Sequence, residues 1–258
     1  MADNPHSRTE PAGEIRPGVL RPDWTAITTA GARTALAGRM AARSGLLDKW
    51  SQQLGAAEDC VWRAILRLYA CRGRPPEAKD IVVETGLAAG EVKRLFHSLR
   101  SRDLIDLDPN SRICLAYPFT EAATGHRVEL NNQILHSLCA IDALGAAAMY
   151  RTDITITSSC RHCSASIEVK TAEEGKAIRR VTPIYAVVWY DFSYNSSAAA
   201  SCCPAIAFFC SDEHLQEWLS GQSPQRDGAR LTAAEALEVG RAIFGPVLFE
   251  RSRETVTS

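Results

Sequence analysis

Apolar positions recur at helical spacing through the first hundred residues, then switch to alternation with period two. Residues 24–50 form an alanine-rich helical stretch that ends near Gly45 or Trp50. Asp59 reads as the cap of the next helix, in which Val61, Ile65, Leu66 and Tyr69 fall on one face; Gly73 and Pro75-Pro76 end it. A short helix over 77–85, a turn at Gly86 and a longer helix over 88–102 follow. Residues 104–107 and 113–117 read as two strands joined by a turn at Asp108-Pro109-Asn110. Three helices followed by a β-hairpin is the winged helix-turn-helix order.

Residues 116–119 and 124–127 read as a connector, because Pro118 opposes a central strand and Gly125 permits a tight turn. Residues 128–130 make a short strand. The whole run 133–150 reads as one helix, with Ile134, Leu138, Ile141, Ala148 and Met149 at helical spacing and no proline. On that helix Cys139 and Asp142 share a face and can touch. Beyond Tyr150 the pattern is β: residues 153–157 and 166–170 alternate, 183–192 is a strong strand, 194–201 is a loop of small residues, and 203–210 is an apolar strand. Residues 213–219 and 232–244 are helices, the second with Thr232 as cap and Glu235 three residues on. No internal repeat is visible. The fold class expected is α+β. A winged-helix-like part over 24–118 is expected to pack on a core of antiparallel sheets and helices over 119–250, with disordered tails at 1–23 and 251–258.

The totals narrow the choice of function. The 258 residues are 46% hydrophobic and 23% charged, with a formal net charge of −1, so no global field draws the chain to nucleic acid or anionic membrane. The helix over 88–102 carries Lys93, Arg94, His97, Arg100 and Arg102, but Glu91 interrupts the patch, and DNA binding is disfavoured. No apolar run reaches the roughly 20 residues a membrane span needs. The polar N-terminus has no apolar signal core, so a cytoplasmic location is expected. Nine cysteines, an odd number without an export signal, argue for reduced thiols rather than a disulfide framework. Cys60 and Cys71 read as small buried hydrophobes on an amphipathic helix. Cys160 and Cys163 have metal-ligand spacing, but a tetrahedral zinc site asks for two more ligands. Cys210, His162 and His214 are the candidates, and none makes a second knuckle.

Cys139-x-x-Asp142 and Cys202-Cys203 ahead of Phe208-Phe209 stand out together. At this point the chain resembles the alkylmercury lyases of bacterial mercury resistance. The resemblance runs from the winged-helix region to about Gly245. It is densest in 138–144, in 157–160, in Ser201-Cys202-Cys203 with Phe208-Phe209, and from Glu235-Ala236 to Phe244-Gly245. It implies an alkylmercury-lyase-like core and a site of two thiols and a carboxylate that cleaves carbon–mercury bonds. The family's first cysteine falls on Cys139 and its aspartate on Asp142. Counting back from Phe208-Phe209 puts its second cysteine on Cys203; a shift of one residue puts it on Cys202, and both stand. The family has a single structural cysteine near Cys160, where this chain has two in ligand spacing, and Pro204 departs from the family pattern just after the second catalytic cysteine.

The residue types fit that chemistry. Mercury(II) is soft, and thiolates are a protein's soft ligands. The departing carbon needs a proton, which Asp142 can take from a thiol and return as general acid, helped by burial. The products are a hydrocarbon and Hg2+ on the protein thiols, which passes to cellular thiols or a mercuric reductase. No organic cofactor is expected. The competing readings are a metal-binding winged-helix protein or regulator, using Cys160, Cys163 and the 202–203 pair for zinc or a soft metal, and a lyase of another carbon–heteroatom bond.

Overall fold

The computed structural model describes residues 22–42, 54–195 and 197–248; the end of the first helical stretch and most of both expected tails lie outside them. After a short turn at Trp24–Ala26 come α1 (Ala30–Ala42), α2 (Ala56–Arg72), α3 (Ala78–Thr85) and α4 (Ala89–Ser101). Strands β1 (Ile105–Leu107), β2 (Ile113–Ala116), β3 (Phe119–Thr120), β4 (His126–Leu130) and β5 (Gln133–Ser137) lead into α5 (Ala140–Tyr150). Then come β6 (Thr155–Ser159), β7 (Ser166–Ala172), β8 (Ala177–Thr182), β9 (Val187–Asp191), β10 (Ala207–Phe209), α6 (Asp212–Ser220), β11 (Gly228–Thr232) and α7 (Ala233–Phe244). The architecture is α+β, and every strand pairing is antiparallel.

Eight strands form one sheet in the order β1-β2-β3-β5-β4-β6-β7-β8, and β10-β9-β11 form a second. Helices α2, α3 and α4 pack on one another through Val61, Ile65, Ile81, Val92, Phe96 and Leu99, all buried. Left-handed Gly73 and Gly86 close α2 and α3, a conformation glycine adopts without a Cβ clash. The β1–β2 hairpin comes next in the expected order, and β2 continues through β3 into the large sheet. On α4 Arg100 pairs with Asp106, and Arg102, the C-cap of that helix, pairs with Glu58.

Several expectations are corrected. Gly55, not Asp59, caps α2, and Asp59 lies in the first turn, where a carboxylate favours the helix dipole. The run 133–150 is not one helix: 133–137 is strand β5, with Leu135 and Ser137 buried and Ile134 52% exposed. Asn131 and Asn132, both at positive φ, make a two-residue hairpin that aligns Leu130 with Gln133. That pairing overrides the helical spacing of the apolar residues. The connector at 116–119 holds strand β3, because Pro118 precedes the ladder and removes no donor from it. The strand expected over 183–192 begins at Val187, leaving Ile184 and Tyr185 exposed. Of 203–210, only Ala207–Phe209 is strand; Cys203–Ala205 is a 3-10 turn. Strands β8 and β11, both poorly alternating, were not expected. Cys60 and Cys71 are exposed, on the outer side of α2. The cap of α7 is as expected: Thr232 accepts from the Glu235 amide while the Glu235 carboxylate accepts from the Thr232 amide.

Helices α5 and α7 cross at Gly145 and Gly240, where a Cβ on Gly240 would lie 2.8 Å from the Gly145 nitrogen. This close approach holds α5, whose first turn carries the site, firmly against α7. No helix among the described residues is long and apolar enough to cross a membrane.

Candidate functional site

The site forms where the first turn of α5 meets the turn before β10. Cys139 is the N-cap of α5: its extended backbone leaves the helix free to begin at Ala140, and its Sγ accepts the Asp142 amide at 3.4 Å. The helix dipole and this N–H both favour a thiolate there. The Ala140 amide donates to the Ile206 carbonyl at 3.2 Å, tying α5 to the chain that leads into β10. That chain makes the 3-10 turn Cys203–Ala205, in which Pro204 fits the preset φ of a first-turn position. The result brings the Cys139 and Cys203 sulfurs and an Asp142 carboxylate oxygen within 4.8 Å of one another, all buried. They line an apolar cavity of about 80 Å³, together with Trp62, Tyr117, Ile141, Tyr190 and Phe244.

Burial governs the protonation of these groups. It pushes the Asp142 carboxyl up to about 7, against the opposing hydrogen bond from Cys139 and the charge of Arg39. The Oδ2 atom of Asp142 is buried without a hydrogen-bond partner. Arg127 is exposed on β4. Burial also raises the Cys139 thiol. Cys203 is raised well above the usual thiol range, first by its hydrogen bond with Cys139 and then by burial. The resting site therefore holds neutral thiols beside a carboxyl that titrates near neutral pH.

The two adjacent cysteines differ in their partners. Cys202 lies outside that group of three: it accepts from Arg39 Nη2 at 2.8 Å, donates to the Ala198 carbonyl, and its thiol is hydrogen-bonded with that of Cys203. Arg39 comes from the last turn of α1, is 2% exposed, and lies over the Tyr190 ring with its guanidinium carbon 4.6 Å from the centroid. Its Nε and Nη1 have no hydrogen-bond partner. Burial pulls its pKa down, but Tyr190, Cys202, Cys203 and Cys139, when ionised, outweigh that and raise it. Asp103, after α4, accepts from the Ala198 amide at 2.9 Å and so anchors the loop that carries both cysteines. Neither Arg39 nor Asp103 was singled out from the sequence. Their one sequence-level signal is a charged residue within a helical stretch or at its end.

Cys160 and Cys163 lie elsewhere, in the connection between β6 and β7. The structure brings them to Cys210, at the end of β10, and to His214, in the first turn of α6; one ligand atom from each lies within 4.8 Å of the others. His162 is outside this group of four: it meets Glu217 at 2.9 Å, and its ring centroid is 4.9 Å from that of His214.

Comparison with known proteins decides the family. The alkylmercury lyase family profile matches residues 119–245. The alkylmercury lyase of Staphylococcus epidermidis is 30% identical over 198 residues, covering 76% of this chain and 87% of the relative. The chain belongs to the alkylmercury lyase family. The alkylmercury lyase of Streptomyces lividans is 24% identical over 189 residues, covering 73% of this chain and 83% of its own length. Among solved structures, the mercury-bound form of MerB2 superposes with a TM-score of 0.65 at 21% identity, over 85% of this chain and all of that one. This likeness places the fold with that of MerB2.

Proposed function

We propose that this member of the alkylmercury lyases cleaves the carbon–mercury bond by protonolysis, with Cys139 and Cys203 as mercury ligands and Asp142 as the proton carrier. The observation that carries this reading is the triad itself: two sulfurs and a carboxylate oxygen within 4.8 Å of one another in a buried apolar cavity. Mercury here is substrate. An organomercurial arrives bound to a small thiol. One protein thiol displaces that thiol, and its proton leaves with the departing sulfur. The other thiol passes its proton to Asp142 as its sulfur joins the metal. The mercury–carbon electron pair then takes the proton back from the Asp142 carboxyl, giving the hydrocarbon and Hg2+ held by two thiolates. No electron is gained or lost, and one proton each reaches the carbon and the leaving thiol.

A carboxyl at about 7 suits both halves of this cycle, since it is neither too weak a base to accept the proton nor too weak an acid to return it. The apolar walls favour the neutral hydrocarbon product and exclude water. Cys202, directed at Arg39, fits a supporting place beside the mercury ligands. Cellular thiols or a mercuric reductase would receive the Hg2+. The pairing of Arg100 and Arg102 with carboxylates supports the reading that α4 does not serve DNA.

The test is head-space gas chromatography of hydrocarbon released from methylmercury or phenylmercury in excess thiol. Wild type is expected to release methane or benzene, and Cys139→Ser none; serine keeps the helix cap, so the variant folds. Asp142→Ala is expected to retain Hg2+ while turnover falls about 100-fold or more. Unchanged turnover in Asp142→Ala would remove the proton carrier, and hydrocarbon from Cys139→Ser at the wild-type rate would remove the first ligand.

A further inference from the structure

We propose that Cys160, Cys163, Cys210 and His214 bind a structural zinc ion that fastens the β6–β7 connection to the β10–α6 corner. Two sulfurs, of Cys163 and Cys210, stand 3.7 Å apart. The Cys160 sulfur is 3.7 Å from His214 Nδ1, and the Cys210 sulfur is 2.9 Å from the same nitrogen. A zinc tetrahedron with bonds of about 2.3 Å to sulfur and 2.0–2.1 Å to nitrogen sets its ligand atoms roughly 3.6–3.8 Å apart. Two of these three separations already match, and the third opens by about 0.7 Å to admit the ion. Three thiolates and one imidazole make a closed tetrahedral set, with no position left for water or substrate, as in structural zinc sites. The imidazole nitrogen favours a borderline metal such as zinc over a purely soft one.

The surrounding backbone is built for the same purpose. Cys160 N donates to Ala165 O and Ser164 N to Cys160 O, and Ser164 takes a left-handed conformation, so the 160–165 segment folds back on itself. Arg161 N donates to the Phe208 carbonyl, two residues before Cys210, which joins the two halves of the site. Beside the four ligands, His162 is engaged by Glu217 with its ring 4.9 Å from that of His214, and Ser211 caps α6 through the His214 amide. The site lies apart from the mercury triad and shares no residue with it. It stabilises β10, which ends six residues after Cys203, and so holds the turn that presents that thiol. The proposal does not depend on the lyase chemistry.

The experiment is metal analysis by plasma mass spectrometry of the full chain, purified reduced from zinc-supplied cells and gel-filtered into metal-free buffer. About one zinc per chain is expected in wild type and in the Cys139→Ser/Cys203→Ser double variant, falling at least tenfold in Cys163→Ser/Cys210→Ser. Because loss of the ligands can also impair folding, wild type is also stripped of metal and refilled with Co2+. Visible d–d bands of tetrahedral cobalt with thiolate charge-transfer absorption are expected, and His214→Gln is expected to shift those bands. Wild type without zinc and without tetrahedral cobalt bands would overturn the proposal. So would zinc that disappears with Cys139 and Cys203 but survives loss of Cys163 and Cys210.

Discussion

At the scale of single residues, the candidate site depends on what burial does to ordinary side chains. Asp142 is an aspartate that behaves as a near-neutral acid because it is buried without a partner for Oδ2. Arg39 is the counterpart, a guanidinium carried into the same cavity with one hydrogen bond, to Cys202, and a ring to lie on. A buried cation with few partners is costly for the fold, and replacing such a group by an apolar one of similar length is often neutral or stabilising. Arg39→Met is therefore expected to melt at the wild-type temperature or above it. It is also expected to lower organomercurial turnover about tenfold or more, because the cation no longer favours thiolate formation beside it. A melting curve and a turnover assay on the same preparation check both halves. A variant that loses stability and keeps full turnover would make Arg39 a structural residue alone. Cys139, Asp142 and the Cys202-Cys203 pair were legible in the sequence from residue type and order. Which of Cys202 and Cys203 lies with Cys139 and Asp142 was not, because a one-residue shift in a turn changes which sulfur faces the helix.

At the scale of elements, the first turn of α5 is placed by the helix behind it. The α5–α7 crossing works because neither Gly145 nor Gly240 has a side chain. A Cβ on Gly240 would meet the Gly145 nitrogen and Cα and the Ile141 carbonyl, all backbone atoms that cannot step aside. Gly240→Ala is expected to cost about 1–3 kcal/mol in urea unfolding, since the two helices must separate. A loss within about 0.5 kcal/mol would show that the crossing has slack. The cap of α7 could be read from Thr232 and Glu235 because capping is local chemistry. The strand β5 could not be read from its apolar spacing, because Ile134, Leu138 and Ile141 satisfy a helical period as well as a strand next to a hairpin does. The pair Asn131-Asn132 was the local signal for the hairpin, and it outranked periodicity.

At the scale of the whole molecule, two buried titrating groups set opposing dependences of stability on pH. Burial, with a smaller contribution from Arg161, lowers His126 from 6.5 to about 4, so its penalty grows as pH falls from 6.5 towards 4. Burial raises Asp142 from 3.8 to about 7, so its contribution is full below pH 4 and is lost as pH rises to 7. Between pH 4 and 6.5 the two slopes oppose, each about 1.4 kcal/mol per pH unit, and together they nearly cancel. Asp142→Asn removes one of them. Its unfolding free energy is expected to gain on wild type by roughly 3–4 kcal/mol between pH 4 and 7. Parallel profiles for the two proteins would mean that Asp142 keeps an ordinary pKa in the fold. By itself the sequence determined what short-range chemistry determines: the α+β class, the helix–helix–helix–hairpin order, the capped last helix, and a thiol–carboxylate pair ahead of two adjacent cysteines. The tertiary structure decided which cysteine faces Asp142, that Arg39 from α1 enters the same cavity, and that Cys210 and His214 join Cys160 and Cys163. Those choices rest on contacts between segments far apart in the chain, where side-chain direction is set by packing and backbone pairing rather than by neighbouring residues.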